Sequence, residues 1–168
     1  VLGARTTKDT VNAALREVSA RRRRRRALDE LSAMADRGDF DEFIGFRGGW
    51  QDYWDWRLER NGEVQASDGR YLTQVITDET VDFIRRSGGE AEPFFLHVAY
   101  NAPHYPFQAP EETIGRHLRP GRTRRVATIY AMLEEMDRGV AAIRRQLELE
   151  GCSARTIVLF TSDNGPEL

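Results

Sequence analysis

His104 stands between two prolines in Asn101-Ala102-Pro103-His104-Tyr105-Pro106, and Asp163 and Asn164 stand side by side in Ser162-Asp163-Asn164-Gly165. Flanking prolines hold His104 on a stiff backbone, which suits a side chain that must point at a ligand. An aspartate carboxylate beside an asparagine carbonyl offers hard oxygen donors, suited to calcium or magnesium and poorly suited to softer metals. Taken alone, each motif has a plainer reading. A lone histidine is more often a surface or packing residue, and Asp-Asn-Gly is a good turn. His97 reads as a satisfied core histidine within an apolar run, and His117 as an exposed helix or loop residue.

The elements that must position these residues make the case stronger. Apolar runs precede both motifs, Phe94 to Ala99 and Thr156 to Thr161, as expected of strands covered on both faces. Between them Val126, Ile129, Tyr130, Leu133, Met136, Val140, Ile143 and Leu147 form an apolar stripe, predicting a helix from about Arg125 to Glu148. Strand, helix and strand make a βαβ unit with the two strands parallel in one sheet, an α/β architecture. Ligands of such sheets bind beyond the carboxyl ends of the strands. The order therefore brings His104 and Asp163-Asn164 to the same sheet edge.

Upstream, Leu72, Val75, Ile76, Phe83 and Ile84 share one face of a further helix, with Thr73 as its cap and an end near Ser87-Gly88-Gly89, where glycine takes the left-handed conformation. Arg60-Asn61-Gly62-Glu63-Val64 and Ser67-Asp68-Gly69-Arg70 carry two turn signals and read as a small hairpin. The aromatic residues from Phe40 to Trp56, punctuated by Gly45, Gly48 and Gly49, read as a loop folded on a core. Ring packing is the default for them, and the stretch around Trp50 to Trp56 has lining of a sugar or aryl pocket as its alternative. Lys8 to Asp36 is helix-prone and highly charged, with an unbroken arginine run from Arg21 to Arg26. No aromatic residues interleave with that run, so a solvated face is the plainer reading and a polyanion-binding patch the alternative.

The 168 residues suffice for one ordinary domain, and a formal net charge of -2 makes no case for a nucleic-acid or membrane partner. No apolar run approaches the roughly 18–20 residues that span a bilayer, and Val1 to Arg5 shows no apolar signal region. Cys152 is the only cysteine, which excludes an internal disulfide and zinc sites built from several thiolates, and Lys8 is the only lysine.

Together the blocks Phe40-Asp41-Glu42-Phe43-Ile44-Gly45-Phe46, Asp52-Tyr53-Trp54, Tyr71-Leu72-Thr73 with Thr77-Asp78-Glu79, Pro93 to Pro106 and Phe160-Thr161-Ser162-Asp163-Asn164-Gly165 resemble the central part of the type I sulfatases, within the alkaline phosphatase-like superfamily. The resemblance implies a partial sulfatase-like sandwich with a mostly parallel sheet flanked by helices. Residues 40–168 are then an internal part of a catalytic domain, incomplete at both ends, and residues 1–39 do not match. Asp163 and Asn164 resemble the family's calcium ligands. His104 resembles the histidine that contacts the sulfate group and helps protonate the leaving oxygen. In that chemistry a hydrated formylglycine attacks sulfur, and one calcium ion and cationic side chains neutralise the sulfate oxygens. The substrate implied is a small-molecule or carbohydrate sulfate ester, and the parent enzyme is expected in the periplasm or outside the cell.

The departures are specific. Formylglycine arises from the cysteine of C-x-P-S-R, whereas Cys152-Ser153-Ala154-Arg155 is one residue too short, lacks the proline and enters a strand at the opposite sheet edge. Cys152 is thus read as an incidental thiol, the chain as lacking the nucleophile, and the isolated chain as inactive. The family's active-site lysines and an upstream aspartate pair are also missing. A phosphodiesterase or phosphonate monoester hydrolase of the same superfamily is the alternative activity, and a non-catalytic binding module the alternative class.

Overall fold

The computed structural model describes Val18, Ser19, Met34, Arg37, residues 40–48 and residues 50–162. The chain divides into two compact units, one formed by Val1–Asp41 with Val158–Leu168 and the other by Glu42–Ile157. In the first unit, Val18, Ser19, Met34 and Arg37 are helical, and Val158, Leu159 and Phe160 are exposed. The arginine run Arg21 to Arg26 lies outside the described residues, as do Asp163 and Asn164.

The second unit opens with a small antiparallel sheet in the order β1-β2-β3, where β1 is Ile44–Gly45, β2 Arg57–Arg60 and β3 Glu63–Ala66. The expected hairpin is present, with Arg60 paired to Glu63. Its two-residue turn puts Asn61 at φ 49 and Gly62 at φ 95, the doubly left-handed geometry that Asn-Gly tolerates best. Three helices follow: α1 spans Leu72–Ser87, α2 Glu111–His117 and α3 Arg124–Leu149. A 3-10 turn covers Ser153–Arg155.

Helix α3 matches the predicted range but not the predicted face: Ala127, Thr128, Ala131, Met132, Glu135 and Gly139 are buried, whereas Val126, Tyr130 and Leu133 of the stripe are exposed and only its Leu147 is buried. Small residues on the buried side let the helix approach its neighbours closely, which an apolar-stripe reading overlooks. The helix starts on Thr123, whose hydroxyl accepts from the Val126 amide. Helix α1 begins differently from expectation. Its N-cap is Tyr71, and Thr73 is a fully buried residue inside the helix rather than its cap. Gly88 closes α1 at φ -64 and ψ -29, a right-handed conformation, with its amide bonded to the Ile84 carbonyl at 2.7 Å. Helix continuation there satisfies the terminal carbonyl without a left-handed residue.

Tyr53, Trp56, Leu58, Tyr71, Leu72, Val75, Ile114, Ala127, Ala131 and Met132 form the main core, which joins the hairpin to all three helices. A smaller cluster of Ile84, Leu147 and Cys152, flanked by Phe83, Phe94, Leu96 and Ile143, lies under the ends of α1 and α3. Arginine ties lock the periphery. Arg86 grips Glu42 with two bonds of 2.7 and 2.9 Å, Arg60 reaches Glu79 of α1, and Arg155 caps the Gly88 carbonyl at 2.9 Å.

Neither apolar run expected to be a strand, Phe94 to Ala99 or Thr156 to Thr161, carries a ladder among the described residues, and the only sheet there is antiparallel. Along the first run burial alternates: Phe94, Leu96 and Val98 are half-buried, while Phe95, His97 and Ala99 are exposed. One face of this extended segment packs on the smaller cluster and the other does not. His97 falls on the uncovered face, so it is an exposed residue rather than a core histidine. In the second run Ile157, Val158, Leu159 and Phe160 are all exposed.

Candidate functional site

His104 sits on the loop that follows Tyr100, and the core holds that loop at several points. Its amide donates to the Asn101 carbonyl at 2.9 Å, closing a turn through Ala102 and Pro103. The Ala102–Pro103 and Tyr105–Pro106 peptides are both cis. Ala102 and Ala109 are buried in the main core, and Phe107 packs against it. Short and apolar residues thus anchor both ends of the loop, leaving His104 and Tyr105 exposed between them.

The main clamp is Tyr53, which is 0% exposed. Its hydroxyl donates toward two carbonyls, Asn101 at 2.9 Å and His104 at 3.0 Å. Tyr71 stacks on it with ring centroids 5.3 Å apart and donates to the Gln108 carbonyl at 2.9 Å. Burial, and then the neighbouring Tyr71, push the Tyr53 phenol well above its ordinary range, so it stays a neutral donor. The Gln108 amide completes the tie: its oxygen accepts from the Tyr53 amide at 2.9 Å, and its nitrogen donates to Asp52 Oδ2 at 2.7 Å. Asp52 Oδ1 in turn accepts from the Trp54 and Asp55 amides, both at 2.8 Å.

Within this frame the His104 imidazole is oriented. Nδ1 lies 2.6 Å from the Tyr105 carbonyl oxygen. A carbonyl only accepts, so the proton resides on Nδ1 in the neutral ring, an assignment made from the hydrogen bond. Nε2 is then a lone pair in neutral histidine and an N–H donor in the imidazolium. That arrangement suits contact with an anionic oxygen and transfer of a proton to a departing one. The Asn101 side-chain amide is buried beside this turn, and neither its oxygen nor its nitrogen has a partner among the described residues.

His117 behaves otherwise. It is half-buried at the end of α2, with Nε2 2.7 Å from Glu134 Oε2 and its ring stacked on Tyr130. It braces α2 against α3 and is not an exposed residue. The cleft lined by Asp78, Glu135 and Arg138 with Gly139 is likewise accounted for structurally. Buried Glu135 accepts from Thr113 and from Arg138, so its charge is committed to joining α2 and α3. Cys152 is 1% exposed, and its thiol points at the Leu147 carbonyl, 3.4 Å away.

No cluster of three or more histidine, cysteine, aspartate or glutamate side chains able to hold a metal occurs among the described residues. The metal ligands read from the sequence, Asp163 and Asn164, lie outside them. The donor chemistry of that pair, a carboxylate and a carbonyl, is the kind calcium takes.

Sequence relationships decide the family. The model described as Sulfatase matches residues 25–168, beginning upstream of Phe40. The chain belongs to the sulfatase family. It is 35% identical over 128 residues to the uncharacterized sulfatase YdeN of Escherichia coli (strain K12), covering 75% of this chain and 22% of that protein. It is 40% identical over 98 residues to the N-acetylgalactosamine-6-sulfatase of Mus musculus, covering 58% of this chain and 17% of that protein. Among solved structures, Ps i-CgsB is similar with a TM-score of 0.60 and 28% identity, over 67% of this chain and 30% of the other. The same protein in complex with k-i-k-neocarrahexaose gives a TM-score of 0.58 at 28% identity, again over 67% of this chain and 30% of the other. These neighbours support an alkaline phosphatase-like α/β fold. The chain spans 22% and 17% of the length of the two curated sulfatases.

Proposed function

We propose that this chain is the His104-bearing part of a sulfatase that hydrolyses sulfate monoesters of carbohydrates. Its apolar runs Phe94 to Ala99 and Thr156 to Thr161 then belong to the mostly parallel sheet of the family's sandwich. The observation that carries the reading is the exposed His104 imidazole, fixed at Nδ1 by the Tyr105 carbonyl on a loop clamped by Tyr53. Relatives named for N-acetylgalactosamine 6-sulfate, and a structural neighbour crystallised with a neocarrahexaose, support a sulfated sugar as substrate.

In this reading His104 Nε2 meets the ester. As a nucleophile bonds to sulfur and the S–O bond breaks, the imidazolium would donate its proton to the bridging oxygen, which leaves with the alcohol. Tyr53 holds the loop so that this nitrogen keeps its place through the reaction. Asp163 and Asn164 would hold a calcium ion, which when bound neutralises charge on the sulfate oxygens. The nucleophile, formylglycine in the family, has no counterpart in the Cys152-Ser153-Ala154-Arg155 sequence.

The test is a titration of the chain with p-nitrophenyl sulfate in millimolar calcium, following the His104 ring signals by NMR. Saturable shifts of the His104 ring signals are expected, with no release of sulfate from the ester. Stronger binding of bis(p-nitrophenyl) phosphate would move the assignment to phosphodiester chemistry. Unmoved His104 signals would sink the reading altogether.

A further inference from the structure

Packing and recognition separate within the aromatic stretch that precedes β2. Tyr53 and Trp56 are buried in the main core, whereas Trp50 is 57% exposed. Across from Trp50 stands Tyr105, 61% exposed and the chain neighbour of His104. Their ring centroids are 6.1 Å apart and their planes meet at 64°. Two large rings in an edge contact, both mostly open, form a corner with an apolar floor and an apolar wall. Neither ring spends that surface on the core, although leaving it in water costs apolar burial.

The corner is fixed rather than loose. Tyr105 contacts Phe107 edge-on at 6.1 Å and 89°, and Phe107 packs against the main core. The Arg125 guanidinium lies over the Phe107 ring at 4.9 Å. On the other side, Gln51, next to Trp50, is bound both ways to Arg57 of β2: its nitrogen donates to the Arg57 carbonyl at 2.7 Å, and its oxygen accepts from the Arg57 amide at 2.6 Å. Both flanks of the corner are therefore braced by the framework that positions His104, and the Tyr105 carbonyl that orients the imidazole belongs to the wall itself.

We infer that Trp50 and Tyr105 form a sugar-ring subsite beside His104, accepting a pyranose of the sulfated substrate. A pyranose is amphipathic: its axial C–H groups make one apolar face, while its hydroxyls project at the rim. An aromatic floor and wall match that face and leave the hydroxyls to water. Aromatic side chains also give large contact area for little lost conformational freedom. The inference deepens the carbohydrate sulfatase reading and rests on it for the neighbouring sulfate contact. The two contacts read different parts of the ligand, ring face and sulfate, so they fail separately.

The experiment uses the full chain with two probes, a carrageenan-derived hexasaccharide and the same hexasaccharide after desulfation. Binding is read from the Trp50 indole N–H signal and from saturation transfer to sugar ring protons. Trp50→Ala and Tyr105→Ala are expected to weaken both probes about tenfold, the loss of one aromatic contact face. Trp50→Phe should restore part of the binding, and thermal unfolding should stay near the parent value because both side chains are exposed. His104→Ala should weaken only the sulfated probe. Unchanged binding in both aromatic variants, or no binding of either probe by the parent chain, overturns the subsite. If the aromatic variants lose binding while His104→Ala does not discriminate the probes, the subsite stands and the role given to His104 falls.

Discussion

One buried hydroxyl, that of Tyr53, serves two carbonyls of the catalytic loop candidate, 2.9 Å from Asn101 and 3.0 Å from His104. Tyr53→Phe keeps the ring, its stacking on Tyr71 and the core volume, and deletes only this bond pair. The Asn101 carbonyl keeps the His104 amide as a donor, so only the carbonyl of exposed His104 loses its partner, a net hydrogen bond of about 0.5–1.5 kcal/mol. The expected result is that much lost stability in urea unfolding, with faster hydrogen exchange at the His104 amide than in α3. Uniform acceleration across the unit would show that Tyr53 supports the core in general and not this loop.

Close approach of α1 and α3 depends on Gly139. A Cβ there would collide with the Tyr100 hydroxyl and with Thr77 Oγ1, which are bonded to each other at 2.8 Å. Alanine gains up to about 1 kcal/mol over glycine from helix propensity. Overpacking a tight contact costs roughly 1–3 kcal/mol, so the clash wins. Gly139→Ala is expected to lower stability, and Tyr100→Phe in the same chain to recover part of the loss. A Gly139→Ala variant as stable as the parent would contradict the packing.

Local signals of the sequence read well where one element carries its own pattern. The helical periodicity locates the ends of α3 to within a residue, and Asn61-Gly62 locates the hairpin turn, but the buried face of α3 runs through Ala127, Ala131, Met132 and Gly139 rather than the larger apolar residues of the stripe. Helix α2 has no such stripe: only Thr113 and Ile114 are buried, and it is held from outside by Thr113 to Glu135, Arg124 to Glu111 and His117 to Glu134. The clamp on His104 is illegible in the sequence for a related reason. Gln108 meets the Tyr53 amide 55 positions away and Asp52 56 positions away, and no spacing rule links residues so distant. His97 escapes a sequence reading because an apolar run does not reveal whether both faces of a strand are covered.

Reactivity separates Cys152 from a catalytic thiol. It lies in the small cluster with Ile84 and Leu147 and is 1% exposed. Thiol reagents need an accessible thiolate. Native protein is expected to resist Ellman's reagent over hours and to react stoichiometrically in urea, at a rate set by opening of that cluster. Rapid labelling of native protein would contradict the burial.

Acid should loosen the His104 loop through Asp52. Burial pulls the Asp52 carboxyl upward, but the amides of Asp55 and Trp54 and the side chain of Gln108 outweigh it, so its pKa lies below the ordinary range. A carboxylate depressed in the folded state binds protons more readily when unfolded. Its contribution is therefore complete above the unfolded value of about 4 and is lost as pH falls through the folded value. Asp52→Asn retains an oxygen for the two amides but cannot titrate, and its amide nitrogen faces that of Gln108. Its expected signature is a lower stability at neutral pH, by about 1 kcal/mol for the lost charged bond, with a flatter decline on acidification. Stability measured by urea unfolding from about pH 6 to pH 2 resolves the two effects. An Asp52→Asn variant that loses stability with acid as steeply as the parent would place the acid sensitivity elsewhere, with Glu42 under Arg86 the next carboxylate to examine, since its pKa is also lowered by that arginine.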